Sequence, residues 1–147
     1  MVKTKICIIG LGYVGLPLIL NVSKKYECIG FDINKKRIEN LKNKIDTNKE
    51  FSLIDFKNKK INFTNNLENI KKCNFYILCV PTPIYRNKSP DLRNLNSAIK
   101  MISKILKKGD ILFLESTIYP GLTLKYKKFL EKKTKLKNNK DFYIGYS

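Results

Sequence analysis

The 147-residue chain has no histidine and no tryptophan, a single alanine (Ala98), and three arginines (Arg37, Arg86 and Arg93). Without histidine, imidazole acid–base chemistry is excluded. No apolar run is long enough to span a membrane. Acidic residues are scarce: 12 of them face 30 basic ones, a net charge of +18. That excess suggests a nucleic-acid or membrane partner at first sight. The detail argues against one. Nearly every basic residue is lysine, the lysines run along the whole chain, and no stripe interleaves them with aromatics. Phosphate-binding modules favour arginine forks and stacking rings. Abundant Lys, Asn and Ile are what an A/T-rich coding sequence over-produces, so the lysines read as a solvated outer face, with no nucleic-acid and no membrane partner expected. Cys7, Cys28, Cys73 and Cys79 show no metal or redox spacing. They fall in or beside predicted strands and read as reduced core thiols of a cytoplasmic protein, with no metal site. The first predicted strand begins within a few residues of Met1, so no signal peptide is expected.

What is present starts at position 6. Ile6, Cys7, Ile8 and Ile9 run into Gly10-Leu11-Gly12-Tyr13-Val14-Gly15, followed by an apolar helical pattern. Strand, G-x-G-x-x-G turn and helix N-terminus in that order form a dinucleotide-binding unit. Gly10 permits the tight turn, Gly12 lets backbone approach a pyrophosphate, and Gly15 lets helix pack on strand. Unpaired first-turn N–H groups then face the phosphates. A second strand-like run, 26–32, ends on Asp32, about 20 residues past the first glycine. An acid there accepts hydrogen bonds from the adenosine ribose and repels a 2′-phosphate, favouring NAD over NADP. The bland alternative for Asp32 is a solvated strand-end carboxylate or a helix cap. Arg37 reads as packing on the adenine side or touching the pyrophosphate region, or as an exposed residue of a lysine-rich helix.

Strands are predicted at 5–9, 27–31, 61–63 (a short edge strand), 75–80, 111–114 and 142–146. Helices are predicted at 13–25, at 35–42 capped by Asn34, from Asn65 or Asn66 through Ile70, from Pro90-Asp91 to a C-cap at Gly109, and at 123–133. A short helix and loop is expected within 47–60. The alternation predicts an α/β fold, a Rossmann doubly wound parallel sheet with helices on both faces, in strand order 3-2-1-4-5-6. Ligands bind such sheets beyond the C-terminal strand ends. The loops there hold Gly10 to Gly15, Asp32, Val80, Pro81, Thr82, Pro83, Ser116 and Thr117. Thr82, Ser116 and Thr117 offer hydroxyls where a nicotinamide ribose and carboxamide belong, although turn capping suits these residue types equally.

The segments G-L-G-Y-V-G-L-P (10–17), F-D-I-N (31–34), C-V-P-T-P (79–83), P-D-L (90–92), L-E-S-T-I-Y-P-G (114–121) and D-F-Y-I-G-Y-S (141–147) resemble the N-terminal domain of the nucleotide-sugar 6-dehydrogenases. The resemblance spans the chain and is nearest the UDP-N-acetylhexosamine branch of Vi-antigen and capsule biosynthesis. It implies oxidation of a sugar C6 alcohol to a carboxylate in two NAD-dependent hydride transfers, through a thiohemiacetal on a catalytic cysteine. It places NAD contacts on Gly10, Leu11, Gly12, Tyr13, Val14, Gly15, Asp32, Arg37, Val80, Pro81, Thr82, Pro83, Ser116 and Thr117. Thr117 matches a threonine that holds a catalytic water. Tyr85-Arg86 departs from the branch, which often carries an acid there. In the family the catalytic Cys, its Lys and Asn helpers, a central dimer helix and a UDP-binding domain all lie beyond the position of Ser147. The chain is therefore expected to be the NAD-binding domain, 1–147, of a longer enzyme that acts on a UDP-sugar as a homodimer or higher oligomer. It is expected to be inactive alone. The alternative is a stand-alone NAD-binding module without catalysis.

Overall fold

The computed structural model describes residues 3–57, 61–86, 88–116 and 119–147. Among these, six parallel strands form one sheet in the order β3-β2-β1-β4-β5-β6, as the alternation of elements predicts. The strands are β1 (Ile6–Ile9), β2 (Cys28–Phe31), β3 (Ile61–Thr64), β4 (Phe75–Leu78), β5 (Asp110–Leu114) and β6 (Phe142–Tyr146). Helices α1 (Gly15–Val22), α2 (Lys35–Lys42), α3 (Leu67–Ile70), α4 (Arg93–Ile102) and α5 (Leu122–Thr134) connect them, with a 3₁₀ turn at Leu53–Phe56.

Side chains of a strand alternate between the two faces of its sheet, and here both faces are covered. Ile6 and Ile8 of β1 join Leu16, Ile19, Ile38 and Leu41 from α1 and α2 in one apolar cluster. Cys7 and Ile9 join Ile99, Ile102 and Tyr126 from α4 and α5 in the other. β1 is thus buried on both sides, which is why it reads as an unbroken apolar run. The strand order reverses between β1 and β4, and the chain leaves their C-terminal ends in opposite directions.

Two boundaries differ from expectation in an informative way. α4 does not run to Gly109; it ends at Ile102 with Ser103 as C-cap. The apolar period continues through Ile105 and Leu106 because both are buried, but in turns hydrogen-bonded to the Ile102 carbonyl. Gly109 (φ +86) belongs to the next turn, where its N–H donates to the Asp141 carbonyl at 2.7 Å. The adjacent Asp110 carboxylate is buried and bonded to Lys107. α1 is shorter than the predicted 13–25, starting only at Gly15. This leaves residues 12–14 as an exposed loop at the switch point.

Candidate cofactor site

Each glycine of the first loop has a distinct environment. Gly10 has φ +90, and a side chain there would meet the Cys79 carbonyl oxygen at 2.9 Å. A Cβ on Gly15 would sit 1.8 Å from the Gly10 carbonyl oxygen, so α1 rests directly on the backbone of the turn. Gly12 is the opposite case: a Cβ there meets nothing within 4 Å. The only missing side chain of the three that leaves open space is the one a phosphate would need to approach.

Leu11 anchors the loop. Its side chain is fully buried and packs beneath Gly30 of β2. Its N–H donates to Asp32 Oδ2 at 2.9 Å, and its carbonyl accepts from Arg37 Nε at 2.9 Å. Asp32 Oδ1 accepts from the Asn34 N–H, so the carboxylate ties the end of β2 to the glycine loop. Asn34 in turn caps α2 through the Arg37 N–H. Among the described residues no acceptor takes the N–H groups of Gly12, Tyr13 or Val14. Tyr13 and Val14 are 69% and 50% exposed. Three donors at the start of a helix, with no partner of their own, form a cradle for an anionic oxygen group.

A cleft of about 500 Å³ opens beside this loop, between the ends of β1 and β4. Gly10, Gly12, Asp32, Val80 and Pro81 line it together with the apolar groups Ile33, Ala98 and Met101. Sequence-predicted residues from three separate loops thus share one concavity, and on its α4 side Asn94 and Ser97 stand beside the apolar Ala98 and Met101. Gly15 stands behind the loop as its packing contact. Pro83 belongs to the segment after β4, where its carbonyl accepts from the Asp91 N–H at 2.7 Å. Thr82 lies in the same segment. Ser116 is buried, and its hydroxyl donates to the Val80 carbonyl at 2.7 Å, which links the β4 and β5 loops. Thr117 lies outside the described residues.

Arg37 is not an exposed helix residue. It is 8% exposed and paired with the buried Asp46 at 2.7 Å, with Thr47 Oγ1 as a second acceptor of Nη1. Burial alone would raise the Asp46 pKa. The Arg37 guanidinium and the N–H groups of Asn48, Glu50 and Phe51 outweigh it and hold the carboxyl below its ordinary value. A group with a depressed folded-state pKa stabilises fully above its unfolded value, about 4, and that stability is lost as pH falls through the folded value. The chain should therefore lose thermal stability on acidification below about pH 4. Melting curves against pH check this: Asp46→Asn should start less stable and show a shallower acid dependence, and an unchanged slope would remove Asp46 from the explanation.

Sequence reasoning also missed a second pair. Asp91, 5% exposed, accepts a forked contact from Arg93, whose guanidinium lies 6.0 Å from the Tyr85 ring centre. Tyr85, itself half-exposed, thus lies beside the Arg93–Asp91 pair at the loop after β4. Spacing two apart on the approach to a helix carries no periodic signal, so only the fold reveals it.

The thiols offer no obvious nucleophile. All four cysteines are buried and free. Cys79 lines the cleft, but burial, with the Glu115 charge second, pushes its thiol up to about 12. Burial pushes Cys28 up to about 11 and raises Cys7. A hydrogen bond with Cys7 lowers Cys73, which precedes β4 at the opposite end of the sheet from the cleft. Among the described residues no group of three or more His, Cys, Asp or Glu side chains could hold a metal ion. No helix among the described residues is long and apolar enough to cross a membrane.

Residues 4–147 match the model of the UDP-glucose/GDP-mannose dehydrogenase family, NAD binding domain, and the chain belongs to that family. It is similar to the UDP-N-acetyl-D-glucosamine 6-dehydrogenase of Salmonella typhi, 46% identical over 147 residues, covering 99% of this chain and 35% of the relative. Staphylococcus aureus CapL is 43% identical, with 97% and 34% covered. Among solved structures, the UDP-D-ManNAc dehydrogenase of Pyrococcus horikoshii superimposes with a TM-score of 0.88 at 32% identity, covering 97% of this chain and 35% of that one. The chain thus spans about a third of the length of the curated relatives it matches. Its cofactor is NAD, by the family domain it constitutes.

Proposed function

We propose that this chain is the cofactor half of a nucleotide-sugar 6-dehydrogenase, and that it holds NAD in the cleft between β1 and β4. The Gly12, Tyr13 and Val14 N–H groups receive the pyrophosphate, Asp32 receives the adenosine ribose, and Ile33, Ala98 and Met101 form the apolar wall for the adenine. Val80, Pro81, Thr82, Pro83 and Ser116 serve the nicotinamide end. The three unpartnered N–H groups beside the Asp32 carboxylate carry this reading, because they present donors for an anion next to an acceptor for a diol. Bound NAD supplies the hydride acceptor. The residues of this chain bind and orient it, and Thr117 positions water. The substrate is a UDP-N-acetylhexosamine, by likeness to relatives named for UDP-N-acetylglucosamine and UDP-N-acetylmannosamine. The rest of the substrate site, the nucleophilic cysteine and the dimer contacts belong to sequence outside these 147 residues.

Calorimetric titration with NAD and NADP tests the cofactor assignment. NAD should bind more tightly, and Asp32→Ala should weaken it by roughly 1.5–3 kcal/mol, the worth of a hydrogen bond to a charged group. Equal or tighter NADP binding by the wild-type chain would refute the role given to Asp32.

A further inference from the structure

One wall of the cleft mixes apolar and polar groups. Asn94, Ser97, Ala98 and Met101 of α4 all line it. Residues three and four apart share a helix face, so these four form one stripe, half of it apolar and half able to hydrogen-bond. Ile33 lines the same cleft from the end of β2 and is 81% exposed, which leaves its side chain bare for a flat ring.

Asn94 is held in one orientation. Its Nδ2 donates to the Pro81 carbonyl at 3.2 Å. A carbonyl only accepts, so turning the amide over would set two oxygens against each other. Oδ1 is therefore fixed as the free end of the side chain, an acceptor with no partner among the described residues. The Ser97 hydroxyl has no partner among them either. Unlike the locked amide, a hydroxyl rotates, and it can donate or accept.

We propose that Asn94 and Ser97 read the edge of the adenine ring, with Asn94 Oδ1 accepting from its exocyclic amine and the Ser97 hydroxyl bonding a neighbouring ring nitrogen. This rests on the NAD reading above, and it makes Asn94 a specificity-determining residue for the base. Adenine presents an amine donor beside a ring-nitrogen acceptor. Hypoxanthine carries an oxygen in place of the amine, and the locked Asn94 oxygen would then face a second acceptor. The amide cannot turn to relieve this without losing the Pro81 bond. Ser97 does not discriminate, because its hydroxyl serves either ring.

NAD and nicotinamide hypoxanthine dinucleotide are titrated by calorimetry into the 147-residue chain and into Asn94→Ala, Asn94→Leu and Ser97→Ala. Both positions are exposed on a helix, where alanine and leucine are good formers, and circular dichroism checks the fold. The wild-type chain should prefer NAD about tenfold, as for one hydrogen bond exchanged for an unpaired acceptor. Either Asn94 variant should bring the two dinucleotides within about twofold of each other. Ser97→Ala should weaken both about fivefold and keep the preference. Equal weakening of both dinucleotides by the Asn94 variants, with the preference intact, would make Asn94 merely structural and overturn the proposal. So would loss of the fold in both Asn94 variants, or unchanged affinities in Ser97→Ala. Equal binding of the two dinucleotides by the wild-type chain would overturn the reading of the base alone, whereas a wild-type chain that binds neither would refute the NAD reading itself.

Discussion

Gly12→Val should leave the chain folded and reduce NAD binding about a hundredfold or more. Both halves of that result follow from the environment of one glycine. A Cβ at Gly12 meets no protein atom within 4 Å, and Gly12 is not among the glycines with positive φ. The substitution therefore meets neither a clash nor backbone strain, and its effect on stability should stay within roughly 0.5 kcal/mol, or a few degrees in melting temperature. The branched side chain would occupy the space through which a pyrophosphate reaches the N–H groups of residues 12–14. Losing even two charge-assisted bonds of roughly 1.5–3 kcal/mol each removes a hundredfold in affinity. Gly15→Ala is the control with the opposite signature. Its Cβ would lie 1.8 Å from the Gly10 carbonyl oxygen and 2.9 Å from the Gly10 carbon, both backbone atoms. That variant should lose stability by several kcal/mol, as overpacked cores do. Thermal melts and calorimetry on the two variants separate the roles. Wild-type NAD affinity in a folded Gly12→Val chain would show that the loop is not where the phosphates bind.

The second large effect is an absence of turnover. With saturating NAD, the 147-residue chain should form no NADH from UDP-N-acetylglucosamine, UDP-N-acetylgalactosamine or UDP-glucose. Oxidation through to a carboxylate needs a thiolate to trap the aldehyde and a group to take the alcohol proton. The cleft contains one thiol, Cys79, and burial with the Glu115 charge raises it to about 12, so at neutral pH it is almost wholly protonated and a poor nucleophile. Cys73 has a lowered pKa but is fully buried at the far end of the sheet. The chain has no histidine, and a threonine such as Thr117 is a weak base near pH 7. On the proposed reading most of the sugar pocket lies in other sequence, and the proximity contribution is then lost as well. The absorbance of NADH at saturating cofactor reads the outcome directly. Sustained NADH formation that disappears in Thr117→Ala would require a complete active site within these residues.

Most of the fold was legible because its signals are local. The apolar run of β1, the glycine turn, Asp32 at the end of β2 and the Asn34 cap each follow from neighbouring residues, and their order dictates the strand order. What escaped was tertiary. Asp46 sits in a polar stretch without periodicity, and nothing in its neighbours announces that Arg37 reaches across to it. The glycine at 109 looked like a helix cap because buried Ile105 and Leu106 continue the apolar period after the helix itself has ended. In the site, the glycine pattern and acid were legible as types at a spacing. The grip of Arg37 on the Leu11 carbonyl and of Ser116 on the Val80 carbonyl was not, because a side chain bonded to a distant backbone oxygen leaves no mark in sequence.

The most direct measurement is a ¹⁵N amide spectrum of the 147-residue chain titrated with NAD. The amides of Gly12, Tyr13 and Val14 should shift most, as N–H groups without protein acceptors gain phosphate oxygens. Those of Asp32, Ile33, Asn34 and Val80 should follow around the cleft. Saturable shifts confined to other surfaces, such as the lysine-rich α5, or no shifts at millimolar NAD, would contradict a cofactor site between β1 and β4.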